Sequence, residues 1–268
     1  MESIKLLHIA EEAALAAGKL AREQFGEPHR VMVKGFRDLV TDTDLKAQEI
    51  ITNTIRDEFP DHGFMTEEED FTLAHNGEVI WIIDPIDGTT NFSRNLPIFS
   101  ISIAAISSVK PMDETKILAG VIYDPLRDEL FGSESGGISQ LNGQAIGVSR
   151  TADMSAAQIA YDWDRAGHLR QITLSHVNYF SRKVDSMRSL GSAALALAWV
   201  AAGRLDGYFN YSVKPWDLAA ASLIIQQAGG LLSTTTGNPL DFSSVEQMNC
   251  LASNDKLHAL LIKSLARY

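Results

Sequence analysis

The spacing of apolar positions divides the chain into a helical opening, a strand-rich middle and a mixed C-terminal part. Residues 3–25 place Ile4, Leu7, Ala14, Ala21 and Phe25 on one stripe at helical spacing, and Gly26 and Pro28 end it. Residues 31–34 are a short strand candidate. A second helix is predicted over 43–59, with Leu45, Ile51, Ile55 and Phe59 inward, Asp42 or Thr43 as N-cap and Pro60 as its stop. Residues 79–83 are continuously apolar, as in a strand buried on both faces, and that strand is expected to stop at Asp84-Pro85. Strands are predicted over 98–107, 116–123, 129–133 and 146–149, with a turn at Asp124-Pro125 and with Gly136, Gly137 and Gly143 as breakers. Residues 192–202 are apolar nearly all round, which predicts a buried helix. A strand over 206–211, a helix over 217–228 ended by Gly229-Gly230, strands over 231–234 and 250–252 and a helix over 255–266 complete the chain. This mixture predicts layered α/β architecture with two sheets, with the glycine-rich stretch 136–147 as the seam between its two parts.

Composition narrows the class. The 268 residues are 45% hydrophobic and 21% charged, the signature of a globular chain long enough for a substantial core. The formal net charge of −11 opposes binding to a phosphate backbone, so no nucleic-acid partner is expected. The longest strongly apolar stretch, 193–202, is too short to span a membrane, and residues 1–25 carry seven charged residues and no signal core. One cysteine, Cys250, excludes an intramolecular disulfide and fits a reducing, cytoplasmic setting.

Four acidic clusters sit at predicted element boundaries, where functional groups tend to lie. The most informative is Trp81-Ile82-Ile83-Asp84-Pro85-Ile86-Asp87-Gly88-Thr89-Thr90-Asn91-Phe92, in which an apolar strand runs into two aspartates three residues apart. Two carboxylates held together repel unless a proton or cation joins them, and hard oxygen ligands suit Mg²⁺. Gly88 permits close backbone approach, and backbone N–H groups at a helix start suit a phosphate. A strand-to-helix turn capped by Asp and Thr accounts for the same letters. The other clusters are Thr66-Glu67-Glu68-Glu69-Asp70, Asp38-Leu39-Val40-Thr41-Asp42-Thr43-Asp44 and Lys214-Pro215-Trp216-Asp217. Each alone also reads as a solvated acidic run or as ordinary capping. Together they point to metal-assisted phosphate chemistry without naming a substrate. None of the seven histidines shows metal-ligand pairing, and Ser192 lacks the setting of a nucleophile elbow.

In this order and spacing the four motifs resemble the inositol monophosphatase family. Asp84 to Phe92 is similar to its first signature, and Trp216-Asp217-Leu218-Ala219-Ala220-Ala221 running to Gly229-Gly230 is similar to its second. The likeness extends from the first helix to the last. It implies an αβαβα sandwich, one domain over 1–268 with parts of about 1–145 and 146–268, and Mg²⁺-dependent hydrolysis of phosphate monoesters. Carried over by resemblance, Glu67, Asp84 and the Ile86 carbonyl hold one metal, and Asp84, Asp87 and Asp217 hold a second. A third ion faces Glu67 through water. Asp44 and Thr89, with Glu68 beside them, form the catalytic group that orients and deprotonates the attacking water. Asp87, Gly88, Thr89, Thr90, Ala193, Asn210 and Asp217 contact the substrate, and a further contact falls in Tyr161-Asp162-Trp163-Asp164-Arg165. A homodimer is implied by analogy with the family. Thr66 stands where several members have Gly before the Glu-Glu pair.

Asn210 stands seven residues before Asp217, where inositol-hydrolysing members carry glutamate. Asn is uncharged and offers both a donor and an acceptor, which weakens the case for inositol. Inositol 1-phosphate is the default ester by resemblance alone, with fructose 1,6-bisphosphate, histidinol phosphate and nucleotide phosphates left open. Thr90 stands where nucleotide-directed relatives often have Lys. A purely regulatory binding role is opposed by the intact set Asp44, Glu67, Asp84, Asp87, Thr89 and Asp217.

Overall fold

A computed structural model describes residues 2–28, 30–35, 38–68, 79–107, 116–164, 167–242 and 244–266. Glu69, Asp70, Arg165 and the Asp38 side chain, named above, and two of the seven histidines, His29 and His75, lie outside the described residues. Among the described residues no helix is long and apolar enough to cross a membrane.

The chain forms five layers. Helices α1 (Glu2–Gln24) and α2 (Asp42–Glu58) cover one face of a seven-stranded sheet. Its strands, in spatial and chain order, are β3 (Gly63–Thr66), β4 (Val79–Asp87), β5 (Ser100–Ser107), β6 (Ile117–Asp124), β7 (Glu129–Glu134), β8 (Gln140–Leu141) and β9 (Gln144–Ala145). Only β3 and β4 pair in parallel; the rest is an antiparallel meander. On the other face lie α5 (Ala193–Ala201) and α6 (Pro215–Gln227), followed by a five-stranded sheet. That sheet runs β11 (Ser186–Ser189), β10 (Gln158–Tyr161), β12 (Gly207–Val213), β14 (Met248–Asn254) and β13 (Gly230–Ser233). Helices α4 (Gly167–Phe180) and α7 (Asp255–Leu265) cover its outer face. A hairpin of β1 (Val31–Gly35) and β2 (Asp38–Thr41) leads into α2, and the short helix α3 (Thr89–Ser93) follows β4. The αβαβα layering expected from the sequence is present.

Several local expectations differ from the structure. In α1 the buried stripe is Leu6, Ile9, Ala10, Ala13, Ala14, Ala17, Gly18 and Ala21, whereas Ile4 is 59% exposed. The small residues let the helix lie close to the sheet: a Cβ on Gly18 would stand 2.3 Å from the Tyr123 ring. In α2 the inward residues are Ala47, Ile51 and Ile55, while Leu45 is exposed and Phe59 stacks on His62. Its N-cap is Thr41, not Asp42 or Thr43. Residues 146–149 do not join a sheet; Val148 bonds instead to the Ala228 carbonyl. Helix α6 starts at Pro215, two residues before Asp217, as Pro at a first helical position favours. Strands β3, β10 and β11 and helix α4 were not predicted: the first three are four residues long, and α4 buries only Thr173, His176 and Phe180.

The central layer positions the candidate site. Helix α5 is buried all round, as its composition predicts, so it serves as core for both sheets. Helix α6 approaches β6 backbone to backbone, because a Cβ on Gly120 would lie 2.8 Å from the Ala220 carbonyl oxygen and 3.0 Å from its Cα. Gly120→Ala therefore displaces the helix that carries Asp217. Thermal and urea unfolding of this variant should show a loss of about 1–3 kcal/mol. Unchanged stability would mean that the close approach is not a packing constraint.

Candidate active site

Strand β4 does not stop at Asp84-Pro85 but continues to Asp87. Asp84 pairs with Ser102 and Asp87 with Ser100, so one extra residue bulges between them. In a regular strand, residues three apart point to opposite faces. The bulge cancels that alternation and turns both carboxylates to one side. Pro85, which has no N–H to donate to a ladder, is tolerated there. Ile86 packs into a core of Ala21, Phe92 and Phe99, while its N–H donates to Asp84 Oδ1 at 3.0 Å. Gly88 follows at φ 102°, and a Cβ there would lie 3.1 Å from the carbonyl oxygens of both Gly191 and Ile98. Its left-handed backbone and crowding both require glycine.

Two helix starts deliver further acids by the same device. In α2 the Thr41 N–H donates to Asp44 Oδ2 at 2.9 Å, and in α6 the Lys214 N–H donates to Asp217 Oδ2 at 2.7 Å. Each aspartate is the third helical residue and reaches back to cap its own helix. The Thr41 hydroxyl also donates to Asp44 Oδ2. Asp44 Oδ1 accepts from Thr89 Oγ1 at 3.0 Å, and that hydroxyl also lies 3.1 Å from the Ile86 carbonyl.

Asp84, Asp87 and Asp217 each bring a carboxylate oxygen within 4.8 Å of the others. Asp84 is buried, and desolvation together with the charges of Glu67, Asp87 and Asp217 pushes its carboxyl well above the ordinary range. Asp87 is pushed up to about 6 by burial, against the pull of its donors. Those donors form the start of α5: Ser192 Oγ at 2.5 Å and the Ala194 N–H at 2.8 Å to Oδ2, and the Ala193 N–H at 3.2 Å to Oδ1. Burial likewise pushes Asp44 up to about 6. Buried oxygen donors that repel one another in this way fit a hard divalent cation.

Glu67 lines the same cavity, but it stands outside the three-carboxylate cluster and accepts from Lys34 Nζ at 3.2 Å. Glu68 takes the stronger contact with that ammonium, at 2.8 and 2.9 Å. Burial, then the charge of Glu67, pushes Glu68 up to about 7. Glu68 does not line the cavity, so the structure places it behind the expected catalytic group rather than in it.

The cavity measures about 310 Å³ and takes in Gly88, Thr89, Thr90, Ala193 and Asn210, all expected as substrate contacts. Asn210 is turned inward, however. Its Nδ2 donates to Tyr208 OH at 3.0 Å and its Oδ1 accepts from the Ser212 N–H at 2.8 Å. Sequence reasoning passed over Lys34, and it set Ser192 aside because a serine holding an aspartate has no motif of its own. It also left the role of Asp162 open. Asp162 Oδ1 accepts from the Gly191 N–H at 2.6 Å and Ser189 Oγ at 3.1 Å, and its Oδ2 accepts from Tyr208 OH at 3.2 Å. It thereby fixes the loop that enters α5.

The inositol monophosphatase family model matches residues 3–268. The chain belongs to that family. As a member it is a phosphomonoesterase, and its acidic cluster is suited to hold metal. A curated inositol-1-monophosphatase of Synechocystis is 37% identical over 97% of this chain and 88% of its own length. The Nus factor SuhB of Escherichia coli is 38% identical over 87% of this chain and 86% of its own length. Among solved structures, the extragenic suppressor protein suhB of Bartonella henselae superposes with TM-score 0.91 at 33% identity, covering 98% of this chain and 99% of that one. The Thermotoga maritima IMPase superposes with TM-score 0.86 at 32% identity, covering 99% and 97%. This inositol monophosphatase-family chain thus matches the family model and these two solved structures over nearly its whole length.

Asp162 also gives a pH signature away from the acid cluster. Burial raises its carboxyl to about 6 in the folded chain, against about 3.9 when unfolded. The folded state then holds the extra proton between those values, so stability falls as pH rises from about 4 to about 6. The loss amounts to about 3 kcal/mol and stays constant above that window. Urea unfolding in chelator at pH 4 to 7 should show this slope, and Asp162→Asn should flatten it by a comparable amount. An identical slope in the variant would contradict the assignment.

Proposed function

We propose that this chain hydrolyses the phosphate monoester of a polyol or sugar, inositol 1-phosphate or a related ester, with Mg²⁺ and an activated water. The convergence of Asp84, Asp87 and Asp217 beside Thr89 carries the reading. In this assignment Glu67, Asp84 and the Ile86 carbonyl would hold one ion, Asp84, Asp87 and Asp217 would hold another, and Glu67 would also face a third. Bound Mg²⁺ supplies charge neutralisation at the phosphate and lowers the pKa of nearby water.

The chain's own groups do the rest. Thr89 Oγ1 carries one proton and directs it to Asp44 Oδ1, which leaves an oxygen lone pair for a water in the cavity. Asp44, raised to about 6 by burial, is a stronger base than an exposed aspartate and accepts the proton that Thr89 relays. Backbone N–H groups of Gly88 and Thr89 face the phosphate, with Thr90 at its edge. Ser192, Ala193 and Ala194 hold the Asp87 carboxylate in one orientation, so little reorganisation is needed during turnover. Glu68 takes most of the Lys34 charge and leaves Glu67 the weaker contact. The reading includes a cytoplasmic homodimer: the lone cysteine is buried, and the dimer rests on family resemblance. The Escherichia coli relative's name, Nus factor, supports a second, non-hydrolytic reading, which the complete acid set in this chain disfavours.

Phosphate release from inositol 1-phosphate, fructose 1,6-bisphosphate, histidinol phosphate and a 3′-phosphonucleotide tests the reading, each with Mg²⁺ and with chelator. Release should require Mg²⁺. Asp87→Asn should lower kcat by about 100-fold or more while the circular dichroism spectrum is retained. Near-normal turnover in that variant would overturn the metal assignment. Thr89→Ala should cost about 100-fold and Thr89→Ser much less, because the serine keeps the relaying hydroxyl.

A further inference from the structure

The cavity extends from the acid cluster along the end of β10 to the first turn of α4. Its wall there carries Asp162, Trp163, Asp164 and Arg170. Under the hydrolase reading above, on which this inference rests, the phosphate lies at Gly88 and Thr89 and this wall meets the alcohol.

Most polar groups of the wall are already engaged within the protein. Asn210 uses both ends of its amide on Tyr208 and Ser212. Asp162 is satisfied by Gly191, Ser189 and Tyr208. Asp164 has Oδ2 accepting from Thr173 Oγ1 at 2.5 Å, while its Oδ1 is buried with no hydrogen-bond partner among the described residues.

Arg170 differs. Among the described residues it is the one cationic side chain lining the cavity. Its guanidinium lies 5.2 Å from the Trp163 ring centroid, and Nη1 donates to the Asp164 carbonyl at 3.2 Å. Among the described residues no carboxylate oxygen lies within 4.0 Å of its guanidinium, although the buried Asp164 carboxylate is near enough to feel its charge. The Trp163 ring packs edge-on against Tyr161 at 5.3 Å, so the platform beneath the guanidinium is itself fixed. A guanidinium has five N–H donors in a planar fork that matches a carboxylate or phosphate. Stacking and a backbone bond pre-order this fork while leaving donors available, which lowers the entropic cost of capturing an anion. Asn210, which also lines the cavity, is neutral and presents no charge to repel one.

We propose that Arg170 is a specificity determinant that binds a second anionic group, phosphate or carboxylate, on the alcohol of the preferred ester. The substrate class is then a bisphosphate or a phosphorylated acid rather than a neutral polyol monophosphate.

Two probes that differ by one phosphate test this: fructose 1,6-bisphosphate and fructose 1-phosphate, with release of the 1-phosphate followed in Mg²⁺. The wild-type protein should prefer the bisphosphate by about 10- to 100-fold in kcat/KM, the range of a charge-assisted hydrogen-bonded contact. The preference should reside mainly in KM. Arg170→Ala should bring the ratio of the two esters close to one, and Arg170→Lys should restore part of it, as a point charge lacks the planar fork. A wild-type ratio near one overturns the inference without any variant, and so does a preference that survives Arg170→Ala. Hydrolysis of both esters with no preference leaves the hydrolase reading standing while this inference fails. Hydrolysis of neither ester, nor of inositol 1-phosphate or p-nitrophenyl phosphate, overturns both.

Discussion

The constraint on which the site depends is the mutual repulsion of carboxylates gathered out of water. Asp84 has Glu67, Asp87 and Asp217 as its charged neighbours and almost no solvent of its own. Such a group persists only if the protein surrounds it with donors, protonates it, or leaves room for a cation. This chain supplies donors at the periphery, through Ile86, Ser192, Ala193, Ala194 and Lys214. It leaves the facing oxygens of the three aspartates within reach of one another. The raised carboxyls of Asp84 and Asp87 measure the electrostatic cost of that arrangement without a cation.

Holding the acids in register demands unusual local geometry, and the fold provides it three times over with ordinary parts. A bulge in β4 turns Asp84 and Asp87 to one side. Capping boxes in α2 and α6 commit one oxygen of Asp44 and of Asp217 to the helix start and aim the other away from it. Helix α5 points its first N–H groups at Asp87, which adds the favourable end of a helix dipole to two hydrogen bonds. Asn91 ties these pieces together by donating from Nδ2 to the carbonyls of Ile98 and Leu190, at 2.7 and 2.8 Å. The strand-to-helix turn at Gly88 and the loop entering α5 therefore share one side chain, and movement of either disturbs both.

This division explains what the sequence made legible. Continuous apolar runs marked the body of β4 and α5, whose burial on all sides demands hydrophobic residues, and β5 was legible from its partial alternation of Ile and Ser. The acids at element ends were visible because four clusters recur at boundaries, although capping explains any one of them alone. The bulge was not visible, since Asp84-Pro85-Ile86-Asp87 reads equally as the end of a strand. Nor were Ser192, Lys34 and Asp162, which act on other protein groups and sit in segments with no distinctive spacing. The stripe of α1 was misplaced because large apolar residues weigh most in a periodicity count, whereas the contact with the sheet is made by alanines and Gly18. Asn210 was marked from the sequence as a departure from the family pattern, and the structure shows that its amide is occupied by its neighbours.

The same geometry separates chemistry from selectivity. The clustered acids come from β4 and α6 and are braced by α5, all tied into the large core between the sheets. The far wall of the cavity is built from the end of β10 and the start of α4, and α4 buries few side chains. Substitutions in that wall therefore meet little resistance from packing, whereas those near Asp84 encounter both the core and the charge balance. A chain that keeps its acids and changes Trp163 or Arg170 retains the means to break a phosphate ester while altering which alcohol it accepts. Asp162 is the exception on that wall, because its hydrogen bond to Gly191 connects it to the start of α5 and through Ser192 to Asp87. Changes of specificity in this fold are then expected to leave an acceptor at position 162 while varying the residues that follow it.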